Sequence, residues 1–135
     1  MEMEQLLTKI VAERSFRDEL CAVIKSFGND YPYIGLDIEE WDDVNYPELF
    51  IYCYLPDETL YNEMESSIKA LLSRFGFCVN ESEVHLQLSD RFFDENIYNI
   101  DFIEYTLADK TDCTVEKLAD DLWIIGEKYY LIRCK

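Results

Sequence analysis

Hydrophobic positions change their period several times along this chain, and each change marks an element. Between residues 3 and 27, Leu6, Ile10, Leu20, Ile24 and Phe27 recur at helical spacing, with Leu7, Val11, Phe16 and Val23 widening the stripe. The pattern predicts one helix over 3–27, stopped by Gly28-Asn29 with Pro32 close behind. Alternation follows: Ile34, Leu36 and Ile38 against Gly35, Asp37 and Glu39, a half-buried strand with acids on its outer face. The stretch WDDVNYP reads as a turn or loop, and Glu48 to Leu55 as a strand apolar on both faces, suited to the middle of a sheet.

Pro56-Asp57 ends that strand. Asp57 is placed to cap a helix over 58–75 that turns Leu60, Met64, Ile68, Leu71, Leu72 and Phe75 inward and stops at Gly76. A strand over 77–88 should face Val84, Leu86 and Leu88 inward and Glu83, His85 and Gln87 outward. Residues 90–99 fit a helical turn or a structured loop, 101–107 a strand, and 114–121 a short helix. Residues 122–134 read as a hairpin turning through Gly126-Glu127 as a two-residue type II′ turn. The expectation is one α+β domain over 1–135, an antiparallel sheet with two main helices in the approximate order α-β-β-α-β-β-α-β-β.

Composition supports a folded core: 49% of the residues are hydrophobic and 15% aromatic, with only 4 Gly and 3 Pro. No apolar run approaches a membrane span, and the N-terminal residues lack a basic stretch followed by an apolar one, so a cytoplasmic protein is expected. The five cysteines, Cys21, Cys53, Cys78, Cys113 and Cys134, are far apart and mostly in apolar runs; buried free thiols without a disulfide are the expectation.

Charge alters the picture most. The net charge is −17, and it is not spread evenly. Residues 26–109 hold 19 acids and 3 bases, whereas residues 110–135 hold 5 of each. Leu36 to Phe50 packs six carboxylates, a Trp, a Tyr and a Phe into fifteen residues without one Lys or Arg. A solvated surface kept for solubility explains acidity, but not its confinement to mid-chain or its aromatic company: Tyr31, Tyr33, Trp41, Tyr46, Tyr52, Tyr54 and Tyr61. Alternation should bury about half of these rings in the core.

Rings among carboxylates suit a protein-binding face. Rings bury area, and carboxylates steer a basic partner and pair with its Arg and Lys. The candidate partner-binding residues are Asp37, Glu39, Glu40, Trp41, Asp42, Asp43, Tyr46 and Glu48. The same charge opposes direct nucleic-acid or anionic-membrane binding. No cofactor or metal is expected: no CxxC or HxxxH spacing, P-loop or dinucleotide fingerprint occurs, and the acidic stretch lacks EF-hand spacing. A triad would have to use His85, the sole histidine, and no nucleophile motif stands near it.

These features point to a monomeric, non-enzymatic neutraliser of a basic protein: an immunity protein or antitoxin against a nuclease-type toxin, or a nucleic-acid mimic. Two other classes fit the composition. A cytosolic chaperone for a secreted effector should be a dimer with apolar grooves, and the third class is a small enzyme using carboxylates, with or without Mg²⁺.

Overall fold

The computed structural model describes residues 3–29, 32–39, 48–53, 57–77, 83–87, 115–126 and 129–134. They form an α+β fold in which helices cover one face of a six-stranded sheet. The elements are α1 (Met3–Val11), α2 (Arg14–Ser26), β1 (Tyr33–Glu39), β2 (Glu48–Tyr52), a 3₁₀ turn (Glu58–Leu60), α3 (Tyr61–Arg74), β3 (Glu83–Gln87), β4 (Val115–Ala119), β5 (Leu122–Ile125) and β6 (Tyr129–Arg133). Residues 90–99 and the expected strand at 101–107 lie outside the described residues.

The helix expected over 3–27 is two helices. Glu13, in extended conformation, separates α1 from α2. The reason lies in phase. At about 100° per residue, Leu7 and Phe16 would point to opposite sides of one straight helix. Breaking the helix lets both residues reach one core, where both are fully buried. Arg17 makes the break affordable in hydrogen bonds: its Nη1 donates to the carbonyls of Val11 and Ala12, at 2.9 and 3.1 Å, where α1 runs out of its own donors.

The expected second main helix is present as the 3₁₀ turn plus α3. Asp57 caps it, its Oδ1 accepting from the Thr59 amide at 3.0 Å and the Thr59 hydroxyl at 2.7 Å. At the other end, Gly76 takes a φ of 91°, the Phe77 amide donates to the Leu72 carbonyl and the Gly76 amide to the Ser73 carbonyl. That is a Schellman closure, with the C3 and C″ residues, Leu72 and Phe77, both buried.

The strand order is β3-β2-β1-β6-β5-β4. Four of the five pairings are antiparallel as expected, but β2 and β3 run parallel. A strand, a helix and a strand in succession produce this: α3 carries the chain back across the sheet before β3 begins, as a parallel pairing requires. The short helix expected over 114–121 is instead the edge strand β4, paired to β5 with an irregularity between Lys117 and Ala119. VEKLA is too short for its own propensity to decide, and pairing with β5 decides for it. The hairpin at 122–134 is present, but Ile125 pairs with Tyr129, so three residues separate the strands where a two-residue turn was expected. Gly126 supplies the left-handed φ of 65° there.

Side chains alternate across the sheet. Ile34, Leu36, Leu49, Ile51, Leu122, Tyr130 and Ile132 join Leu7, Phe16, Leu20, Ile24, Met64, Ile68 and Leu72 in the main core under the helices. Phe16 of α2 meets Phe75 edge to face, ring centroids 5.3 Å apart. The opposite face has a second cluster of Tyr33, Trp123, Ile125, Tyr129 and Leu131, with Tyr52 and Val115 packed on it. Gly35 belongs to this face. A Cβ there would collide with the Tyr129 ring and hydroxyl, so the missing side chain is what lets that ring lie across β1.

The expectation of free thiols fails at two positions. Cys21 of α2 and Cys134, just past β6, form a disulfide, their Cα atoms 5.5 Å apart. The apolar runs around these cysteines signalled burial correctly, but the fold brings them together across 113 residues. Cys53 is free and buried, and burial pushes its thiol up to about 12, which leaves it unreactive at neutral pH.

Candidate functional site

The expected binding residues straddle the β1–β2 pair. Glu40, Trp41, Asp42, Asp43 and Tyr46 lie outside the described residues, as do Tyr31 and Tyr54. Asp37 is half-buried in β1 and pairs in register with Phe50 of β2. Glu39 ends β1, and half-buried Glu48 begins β2 directly opposite it. Residues 39 and 48 therefore stand opposite each other at the two ends of the segment 40–47.

The parallel β2–β3 pairing extends this arrangement. Glu48 is in register with Glu83, so positions 39, 48 and 83 form a row across three adjacent strands. One inter-strand step is about 4.8 Å, close enough for like charges to repel. Alternation marks Glu83 as outward-facing in the sequence; its neighbourhood with Glu48 depends on the parallel pairing, which no local signal carries. His85 stands in register with Phe50, and Gln87 with Tyr52.

Of the rings expected near the acids, Tyr33 and Tyr52 belong to the second-face cluster and Tyr61 packs on the main core. Tyr52 leans on Tyr129, with ring centroids 5.5 Å apart and planes tilted 43°. Burial pushes the Tyr33 hydroxyl up, partly offset by the charge of Arg133 in the paired strand. Away from the acids, Lys117 Nζ lies 5.8 Å from the centre of the buried Trp123 ring, an outer-range cation–π contact on β4 and β5.

Among the described residues no group of three or more His, Cys, Asp or Glu could hold a metal ion, and no helix is long and apolar enough to cross a membrane. A hollow of about 270 Å³ between α1 and the β4–β5 edge includes Thr8, Val11, Leu118 and Tyr130, and the described residues lining it include no carboxylate, histidine or cysteine. Compared with known families, characterised proteins and solved structures, the chain matches none.

Proposed function

We propose that this protein binds and neutralises a basic protein, most simply as an immunity protein or antitoxin that occupies the phosphate-binding cleft of a nuclease-type toxin. The observation that carries the reading is the row at positions 39, 48 and 83, set by the register of three neighbouring strands. Like charges in register cost stability, and a net charge of −17 makes relief from elsewhere in the chain scarce. A sequence that keeps such a row gains from it when Arg and Lys of a partner cover it. Asp37 and the segment Glu40 to Tyr46, with Trp41 between Glu40 and Asp42, complete the proposed face. The protein acts as a carboxylate surface in place of phosphates, without catalysis, cofactor or metal.

A cytoplasmic location belongs to this reading, and there the Cys21–Cys134 bond would meet reducing thiols. Co-expression with the product of the adjacent gene, followed by native mass spectrometry, tests the proposal. The expected species is a one-to-one complex with a basic protein whose nuclease activity is lost in the complex and returns at high salt. A partner of neutral or acidic character, or a complex indifferent to salt, overturns it.

A further inference from the structure

Beside the disulfide lies a cavity of about 220 Å³, lined by Asp18, Cys21, Ala22, Lys25, Asp121 and Arg133. The first four sit at i, i+3, i+4 and i+7 of α2, so one helix face forms the wall. Cys21 is among the described lining residues and Cys134 is not. The charges do not cancel in effect. Asp18 is paired with Arg14 at 3.7 Å and Asp121 with Arg17 at 2.9 Å. Lys25 and Arg133 form no ion pair with a described residue. A protein with a net charge of −17 thus has, at its disulfide, a hollow with two cations left over.

We propose that this cavity is a thiol–disulfide exchange site for a low-molecular-weight thiol bearing carboxylates, which attacks at Cys21. The incoming thiolate forms a bond to Cys21 Sγ as the Cys21–Cys134 bond breaks, and Cys134 leaves as a thiolate that takes a proton from water. A second thiolate then attacks the small-molecule sulfur of the mixed disulfide. It releases the oxidised small-molecule disulfide and leaves Cys21 as a thiolate, so two thiols supply the two electrons. Lys25, one turn along α2 from Cys21, attracts the carboxylates and the attacking thiolate.

Glutathione as the anionic probe and cysteamine as the cationic one test this on the folded full chain. Lys25 is exposed, so Lys25→Ala leaves the fold intact. The variant should open the disulfide about fivefold more slowly with glutathione at low salt, from the loss of one nearby unit charge. It should be no slower with cysteamine. In Cys134→Ser, oxidised glutathione should form its adduct at Cys21, located by peptide mapping; in Cys21→Ser, Cys134 should react at least tenfold more slowly. Equal slowing with both probes overturns the proposal. So does an adduct on Cys134 as fast as on Cys21, or opening no faster than global unfolding. None of these readouts involves a protein partner.

Discussion

Arg17 and Asp121 meet across 104 residues in a two-pronged ion pair: Nε donates to Oδ2 at 3.0 Å and Nη2 to Oδ1 at 2.9 Å. Both side chains are buried, and the same guanidinium closes the end of α1. One arginine therefore ties the helix break to the turn between β4 and β5. Burial raises the Asp121 carboxyl, but the hydrogen bonds and charge of Arg17, with a backbone hydrogen bond and the charge of Arg14, outweigh it and hold the group below its ordinary value.

Removing one partner leaves the other charge buried, so Arg17→Met or Asp121→Asn should cost about 3–5 kcal/mol at neutral pH in urea unfolding. The sign with pH follows from the lowered value. The folded state binds fewer protons than the unfolded one, so the contribution is complete above about pH 4 and is lost as pH falls through the folded value. The gap between wild type and Asp121→Asn should narrow on acidification below that range. A gap that stays constant would separate the pair from acid sensitivity.

Gly35→Ala should destabilise by about 1–3 kcal/mol, because the added carbon enters the space of the Tyr129 ring. Gly35→Ala combined with Tyr129→Val should cost less than the two single changes summed, a coupling read from a double-mutant cycle. Strict additivity would mean the two positions do not touch.

Reduction of the Cys21–Cys134 bond should lower stability by about 5 kcal/mol in the chain-entropy picture of a closed loop this long. Alkylation of the unfolded, unreduced protein should leave Cys21 and Cys134 unmodified and label Cys53, which peptide mapping resolves. Thermal melts with and without reductant give the size of the effect.

Glu48→Lys separates stability from binding. Its register between positions 39 and 83 predicts a gain of about 0.2–1 kcal/mol from relieved repulsion. The proposed basic partner should bind this variant more weakly, most visibly at low salt. A variant that is stabilised yet binds as wild type does would leave the row without the proposed role. For the segment beside it, Trp41→Ala should mainly speed dissociation and Asp42→Asn with Asp43→Asn mainly slow association, with melts verifying that both variants stay folded.

Much of this fold is written locally. The stripe of α3, its Asp57 cap, its Gly76 stop and the final hairpin all follow from signals within a few residues. The failures share a cause. α1 and α2 each keep helical period, but their phases differ, and phase matters only once both must reach one core. VEKLA satisfies a helix as well as a strand until β5 lies beside it. The Cys21–Cys134 bond, the Arg17–Asp121 pair and the Glu48–Glu83 register join residues far apart in the chain. For the candidate face, alternation suffices to mark Asp37 and Glu83 as outward positions, whereas Glu48 heads a strand read as apolar on both faces, and the mutual arrangement of the three is a product of strand order.

The strand order 3-2-1-6-5-4 also governs assembly. Each half of the sheet is continuous in sequence, and the seam between halves joins the first described strand to the last. A nascent chain can build β3-β2-β1 early, but the open edge of β1 waits for residues 129–133 to leave the ribosome, unprotected in the meantime. The seam is also where the molecule can be divided. A break between residues 87 and 115 leaves three of the described strands on each piece, with the Cys21–Cys134 bond able to hold the pieces together while they close, so this architecture is suited to a split protein whose halves report on their own reunion.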